Sequence, residues 1–130
     1  MEYLLSFQAR MGNAKDLLTD TEKTAFFFVT LPEALPTAVI TRFINWFHEF
    51  GIPVGGVVVN MVIDKSSVTD ATPDFVKNRV AMQDEYMEVI RTTFGDAVRT
   101  VVPLYETEVR GVKMLERVAD VVFARSQATA

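Results

Sequence analysis

Cysteine is absent from this sequence, and its absence excludes several kinds of chemistry. Without a thiol the chain has no disulfide, no thiolate zinc site, no cysteine nucleophile and no thiol site for a metalloid. Histidine occurs once, as His48, so a Ser-His-Asp triad would depend on that residue alone. Because His48 follows Trp46 and Phe47 in a predicted helix, we expect it at the surface. The sequence therefore predicts no catalytic residue and no metal site, and a stand-alone enzyme is not expected.

Glycine-rich phosphate-binding motifs are missing as well. Neither G-x-x-x-x-G-K-[ST] nor G-x-G-x-x-G can be found among the six glycines. The nearest cluster, residues 51–56 (GIPVGG), leads into a predicted strand, whereas a phosphate loop follows one. We interpret the cluster as the end of a helix and a tight turn. The chain is therefore not expected to hydrolyse a nucleotide by itself.

Basic clusters and long apolar runs are also lacking. The formal net charge is −4 and the 13 lysines and arginines are scattered, so nucleic acid is not an expected partner. No apolar run approaches the roughly 20 residues that cross a bilayer. The first five residues (MEYLL) lack the basic flank and cleavage pattern of a signal peptide. Together with the missing cysteines, these features favour a cytoplasmic location.

The sequence alternates between segments with apolar residues at helical spacing and short segments that are almost continuously apolar. With 130 residues, 49% of them apolar, the chain has the size and composition of a single globular domain. Strands are predicted at 25–31 (AFFFVTL), 54–63 (VGGVVVNMVI) and 97–102 (AVRTVV). Apolar residues spaced by three or four predict helices before, between and after them. The tail, residues 126–130, is expected to fray.

The order α-β-α-β-α-β-α predicts an α/β fold with a short parallel sheet between helices, a three-layer arrangement. Predicted strands that consist almost entirely of apolar residues are expected to be buried on both faces. The second helix carries its main apolar stripe at Leu35, Val39, Phe43, Trp46 and Phe50. Ile40, Ile44 and Phe47 widen this stripe, so the helix is expected to pack on more than one neighbour. A sheet of three strands leaves exposed edges, so we expect the chain to be half of a larger domain or to pair with a second copy.

Asn60 is a polar interruption in the apolar run 57–62 (VVVNMV). A buried amide without a partner costs about 1–3 kcal/mol, so something must satisfy it. A hydrogen bond to a neighbouring loop is one interpretation. The other is a ligand, because open parallel sheets bind ligands beyond the carboxyl ends of their strands. An amide can accept from N6–H of adenine and donate to N7.

Pro103 ends the third strand at the same edge of the sheet. A proline interrupts the ladder, and it is expected to free the backbone groups of Leu104 and Tyr105 to face a ligand. Tyr105 could stack on a base or lie in solvent. Glu108 is expected at the start of the last helix, where the helix dipole favours a carboxylate. These residues converge with Asn60 if the second and third strands are neighbours, as the short helical crossover between them predicts.

Gln83 is a second polar interruption, within the apolar stripe of the third helix. Arg79 lies one turn before it. We interpret the two as a hydrogen-bonded pair at the edge of the helix. Gln83 is therefore not assigned to a site.

Several short motifs recur along the chain in a recognisable order and spacing. They are Pro32-Glu33, Arg42, Gly51-Ile52-Pro53 with residues 57–60 (VVVN), Arg79 to Gln83 with Tyr86, Pro103-Leu104, and residues 108–111 (EVRG). In this order and spacing they resemble the C-terminal part of the ArsA family, which includes arsenite-pump ATPases and ATPases that target tail-anchored membrane proteins. The likeness runs from about Leu17 to Val122.

The resemblance implies a nucleotide-binding role. In that family the phosphate-binding loop lies in the N-terminal part, while the C-terminal part completes the sheet and forms the adenine pocket. ATP or ADP is the implied ligand, with magnesium held only through the N-terminal part. The implied partners are that N-terminal half or a second copy, and a membrane-protein client or pump subunit. The implied nucleotide-binding residues are Asn60, Pro103, Leu104, Tyr105, Glu108 and Arg110.

The sequence also departs from the family. Many relatives carry a C-x-x-C zinc pair where this chain has Pro73 and Val76, so no zinc is expected. Arsenite-binding cysteines are missing too. An alternative function remains, that of a non-enzymatic interaction or dimerisation module. It would use the exposed sheet edge and the apolar second helix.

Overall fold

The structure is a computed structural model, and it describes residues 2–124. The predicted tail at 126–130 lies outside this range. The order of the main elements is the predicted one, so the α/β fold class is confirmed. Short 3-10 turns at Lys65–Ser67 and Gly95–Ala97 precede α3 and β3. The elements are α1 (Glu2–Thr19), β1 (Phe26–Thr30), α2 (Ala34–Glu49), β2 (Val54–Val62), α3 (Asp74–Phe94), β3 (Val98–Pro103) and α4 (Val112–Phe123).

The three strands form one parallel sheet in the order β1-β2-β3, with β2 in the centre. Helices α2 and α3 contact each other, and both lie on the same face of the sheet. Helix α4 packs on the other face, where Thr100 of β3 donates a hydrogen bond to the carbonyl oxygen of Val121 at 3.1 Å. The three-layer arrangement is therefore confirmed. It brings the carboxyl ends of all three strands to one edge.

The core lies between the sheet and α3. Val59 and Ile90 are fully buried there and pack with Met87. On the same face of the sheet, at β1, the rings of Phe26 and Phe28 pack edge-on against Phe47 of α2. Their centroids lie 5.0 and 5.1 Å from the centroid of the Phe47 ring. Such aromatic pairs add to the burial of their apolar area. These contacts fix α2 and α3 over the sheet.

Strand β1 is buried on one face only, so the prediction of burial on both faces is wrong for this strand. Phe27 and Val29 point away from α2 and are 57% and 60% exposed. The reason is that α4 covers β3 and, within residues 2–124, no helix packs over β1 on that side. A parallel sheet normally has both faces covered. The open face of β1 is an apolar surface without a neighbour in this part of the chain.

Helix α2 packs on more than one neighbour, as predicted, because it contacts β1, β2 and α3. It does so through residues that widen the apolar stripe and not through the main stripe. Its buried residues are Thr37 and Ile40, and Phe47 lies against β1. Apolar residues surround more than half of the helix, so periodicity alone did not decide which side packs. The predicted stripe remains 41% to 74% exposed at Leu35, Val39, Phe43, Trp46 and Phe50.

Helix α1 is confirmed as a helix, but its apolar side chains are exposed. Leu4, Phe7 and Met11 are 69%, 57% and 57% exposed. Across residues 2–124, every helix is too short or too polar to cross a membrane.

Candidate functional site

An open cavity of about 490 Å³ lies at the carboxyl ends of β2 and β3. This volume falls in the usual range for small-molecule sites, about 300–1,000 Å³. Two strands, one loop and one helix contribute to it, so the predicted convergence of Asn60 with the proline turn takes place in one cavity. The lining residues are Asn60, Met61, Val102, Pro103, Leu104, Tyr105, Thr107, Glu108, Val109 and Val118.

A bulge at Asn60 and Met61 shapes the wall of this cavity. Val59 pairs with Val101, and the next pair is Val62 with Pro103, so β2 has one more residue than β3 in this interval. Met61 adopts a left-handed backbone conformation with a φ of 58°. This conformation is uncommon for any residue except glycine. A bulge re-aims side chains, and bulges are frequent next to functional sites.

The amide of Asn60 is satisfied locally and only in part. Its Oδ1 atom accepts a hydrogen bond from the backbone N–H of Met61 at 2.9 Å, instead of bonding a neighbouring loop. The Nδ2 group makes no hydrogen bond within residues 2–124, and Oδ1 retains a second lone pair. Asn60 is half-buried and Met61 is 50% exposed, so the predicted burial of the neighbours on both faces is wrong at Met61, whereas Val59 is fully buried. The cavity side of the amide is accessible to a ligand.

The turn after β3 is tied to β2. The backbone N–H of Leu104 donates to the carbonyl oxygen of Val62 at 2.8 Å, so it is not free for a ligand as predicted. The parallel ladder thus continues one residue past Pro103, because the bulge in β2 brings Val62 into register with the turn. Leu104 lines the cavity, but its N–H is not available there.

Tyr105 is neither a free stacking platform nor a solvent-facing residue. Its ring is half-buried, and the guanidinium of Arg117 lies over it at 5.1 Å from the centroid. Its hydroxyl is buried and has no hydrogen-bond partner within the described residues. A buried hydroxyl without a partner costs about 1–3 kcal/mol.

We expect Tyr105→Phe to leave the free energy of unfolding unchanged or to raise it by up to about 1 kcal/mol, because the removed hydroxyl donates to no protein group. Urea unfolding measures this. Tyr86→Phe, at a half-buried position on α3, is the matched control. A loss above about 1 kcal/mol in Tyr105→Phe alone would contradict the assignment of an unpaired hydroxyl.

Glu106 and Arg117 form an ion pair at the rim of the cavity. An Arg117 nitrogen lies 2.8 Å from the Glu106 carboxylate. This hydrogen bond lowers the pKa of Glu106 below its ordinary value, so the carboxylate stays ionised at neutral pH. Arg117 also approaches the sulfur of Met114 at 3.5 Å. Neither member of the ion pair was identified from the sequence.

Glu108 and Arg110 lie in the loop and not in the last helix. Gly111 caps α4, which begins at Val112, so Glu108 is too far from the helix to gain from its dipole as predicted. Glu108 is exposed and lines the cavity. Arg110 is exposed and is not among the lining residues. The structure therefore groups five of the six predicted residues and leaves Arg110 outside the cavity wall.

Gln83 has a structural role that the sequence interpretation missed. It is 4% exposed, its Oε1 accepts from the N–H of Ile63 at 2.7 Å, and its Nε2 donates to the Ile63 carbonyl oxygen at 3.0 Å. The predicted pair with Arg79 is wrong, because Arg79 bonds the carboxylate of Glu33. A polar residue inside the apolar stripe of α3 was the available signal. Its partner, a backbone segment of another element, could not be read from helix spacing.

Gln83 also lines a smaller cavity of about 140 Å³ between the ends of β1 and β2. The Glu33–Arg79 ion pair forms one side of this cavity. Met61 and Leu104 line both cavities, so the two are neighbours along the carboxyl edge of the sheet. The bulge residue Met61 thus forms part of the partition between them.

The family model of the anion-transporting ATPases (ArsA) matches residues 1–124. This chain belongs to the ArsA family. The motifs that carry the resemblance therefore lie inside a match that extends over nearly the whole chain. None of the described residues, 2–124, forms a group of three or more acidic, histidine or cysteine side chains arranged to hold a metal ion.

Individual relatives bear ATPase names. The chain is 34% identical over 103 residues to the ATPase ASNA1 homolog of Trypanosoma cruzi (strain CL Brener). The aligned region covers 78% of the chain and 28% of that protein. The chain is 28% identical over 122 residues to the ATPase GET3 of Chaetomium globosum, covering 94% of the chain and 35% of that protein. It is 28% identical over 120 residues to a candidate arsenical pump-driving ATPase of Aquifex aeolicus (strain VF5), covering 92% and 30%.

The chain thus spans about a third or less of the length of these ArsA-family relatives. The larger part of each relative has no counterpart in the 130 residues. The ATPase names belong to these longer relatives. Which part of that role this chain carries depends on its own residues.

Proposed function

We propose that this chain is the adenine-binding portion of an ArsA-family ATPase. The observation that carries the proposal is the meeting of the Asn60 amide with the turn at 103–108 around one cavity at the carboxyl edge of the sheet. Hydrolysis of ATP, and the magnesium ion that accompanies its phosphates, would depend on residues outside this sequence. No residue of the chain is assigned to catalysis or to the metal.

The lining of the cavity supports a purine base as the proposed ligand. Val102, Pro103 and Val118 supply apolar wall, which favours a flat ring over water. The unpaired Nδ2 group of Asn60 would donate to a ring nitrogen, and the second lone pair of Oδ1 would accept from the amino group of adenine. Guanine has a carbonyl oxygen where adenine has that amino group, so the same amide discriminates against it.

Partners and location follow from the proposed role. The chain would work beside an N-terminal ATPase half, or in a pair with a second copy, in the cytoplasm. A membrane-protein client or a pump subunit would be handled by the assembled ATPase. Arginines and lysines form no stripe along the sequence that would suit nucleic acid.

Titration with adenosine tests the proposal on the chain itself. Adenosine is the appropriate probe because phosphate-binding elements are not part of the sequence. Affinity in the millimolar range, about −4 kcal/mol, is expected for a base and ribose alone. In nitrogen-15 NMR spectra, we expect shifts at the Asn60 side-chain amide and at the backbone amides of residues 104–109, and smaller shifts with guanosine.

The variant Asn60→Asp separates ligand binding from the structural role of this residue. It keeps an oxygen for the N–H of Met61 but removes the donor, so adenosine binding should weaken by about 1–3 kcal/mol, or about 5- to 150-fold. Asn45→Asp, at an exposed position of α2, is the control and should bind like wild type. Equal affinity in wild type and Asn60→Asp would contradict the proposal.

The open face of β1 favours a second candidate, an interaction or dimerisation module. Phe27 and Val58 line an apolar cavity of about 610 Å³ against Val122 and Phe123 of α4, and Phe123 is 81% exposed. Contiguous apolar surface of this kind marks interfaces. An ATPase half covering this face is compatible with the first proposal, whereas self-association without nucleotide binding would favour the second.

Light scattering distinguishes these cases. We expect the chain to self-associate at high concentration, and the double variant Phe27→Thr with Phe123→Ser to be monomeric. Phe75→Ser removes an 80% exposed phenylalanine at the start of α3 and should leave association unchanged. Monomeric wild-type protein at all concentrations would count against the module.

A further inference from the structure

One charged side chain of α4, that of Arg117, contacts Tyr105. No protein group within the described residues bonds its buried hydroxyl, so no hydrogen bond of the side chain fixes the ring. The Arg117 guanidinium lies 5.1 Å from the ring centroid, within the distance at which a cation is attracted to an aromatic face. Arg117 is therefore the polar contact of the Tyr105 side chain among the described residues.

Arg117 is itself anchored to the same loop. Its guanidinium donates to the carboxylate of Glu106 at 2.8 Å, and Glu106 follows Tyr105 directly in the chain. A planar guanidinium can stack on a ring and donate in its own plane at the same time, which an ammonium cannot do as well. Two consecutive loop residues are thus held by one side chain.

The contact joins two walls of the larger cavity. The loop contributes Tyr105, Thr107, Glu108 and Val109, and α4 contributes Val118, the neighbour of Arg117. The ion pair is half or more exposed on both sides, at 50% and 67%, so it adds little to global stability. Its effect is on where the loop lies relative to α4.

We propose that Arg117 is a positioning residue that holds the loop at residues 104–110 against α4, so that the cavity is shaped before a ligand arrives. The inference rests on the proposed function, since the cavity is the candidate adenine site. A loop that is already ordered loses less conformational entropy when a ligand binds. Releasing it therefore weakens binding without changing the contacts that the ligand makes.

The test compares Arg117→Met, which keeps the aliphatic length, with Arg117→Lys, which keeps the charge. In Arg117→Met we expect the dissociation constant for adenosine to rise about 3- to 10-fold, the scale of ordering one or two side chains. Nitrogen-15 relaxation order parameters at the backbone amides of residues 105–109 should fall, while the urea midpoint stays that of wild type. Arg117→Lys should recover part of both effects. Arg91→Met removes another ion-paired arginine, which is 67% exposed and paired with Glu88 on α3, and serves as the control.

Nitrogen-15 relaxation separates this inference from the proposed function, because it requires no ligand. Wild-type protein that does not bind adenosine would defeat the proposed function, and lower order parameters in Arg117→Met that Arg117→Lys restores would still support the positioning role. Unchanged order parameters at residues 105–109 in Arg117→Met would overturn the inference. So would a lowered urea midpoint with lower order parameters across the whole sheet, which indicates a general structural role.

Discussion

Gly56→Ala is expected to lower the free energy of unfolding by about 3–5 kcal/mol, enough to unfold much of a domain of ordinary stability. Gly56 lies in the central strand with a φ of +148°, a region that other residues rarely adopt. A Cβ atom there would be 2.7 Å from the carbonyl oxygen of Ala97 and would also strike the side chain of Arg99. Backbone strain and overpacking each cost about 1–3 kcal/mol. Urea unfolding followed by circular dichroism measures the change.

Gly12→Ala is the matched control for this substitution. Gly12 lies within α1, and a Cβ added there meets no atom within 4 Å. Alanine is favoured over glycine inside a helix by about 0.5–1 kcal/mol, so this variant should be neutral or slightly more helical. If Gly56→Ala unfolded at the same urea concentration as Gly12→Ala, the close approach of β2 to β3 at this glycine would be wrong.

The order and type of the elements could be predicted because each element carries its own local signal. Strands 25–31 and 54–63 are continuous apolar segments, and Gly51 and Gly95 mark the ends of α2 and α3. Burial could not be predicted as well, because it depends on what covers each element. Phe27 resembles its neighbour Phe28 in the sequence, yet only Phe28 has a helix above it.

Part of the candidate site could be predicted, since Asn60 interrupts an apolar run and Pro103 ends a strand. The bulge could not, because a methionine does not indicate a left-handed conformation. Arg117 was missed for a related reason. Its contacts join a loop to the next helix across 11 residues, and no periodicity connects them.

The bulge and the buried glutamine of α3 act on the same stretch of chain. Met61 departs from the ladder, and two residues later Gln83 takes both backbone groups of Ile63. A strand that leaves its regular pairing exposes donors and acceptors that must be satisfied elsewhere. Gln83 forms these hydrogen bonds with Ile63, and it thereby fixes the path of the chain directly after Asn60.

Replacing Gln83 with leucine is therefore expected to lower the free energy of unfolding by about 2–4 kcal/mol. Leucine has a similar volume, but it leaves the N–H and the carbonyl group of Ile63 without their partner, at about 1–3 kcal/mol for each group that stays buried. Ile63 is half-buried, so some water can reach it and the sum falls below the maximum. Urea unfolding gives the free energy, and hydrogen exchange at the Ile63 amide shows whether the loss is local.

The same substitution should weaken adenosine binding, because the segment after Asn60 loses its anchor while Asn60 itself is unchanged. Gln8→Leu, at an exposed position of α1, provides the control and should alter neither stability nor binding. Gln83→Glu keeps an acceptor for the Ile63 N–H but places a carboxylate beside the Ile63 carbonyl oxygen, so it should also be destabilising. Gln83→Leu as stable as Gln8→Leu, with unaltered exchange at Ile63, would show that the backbone after β2 holds its path without the glutamine.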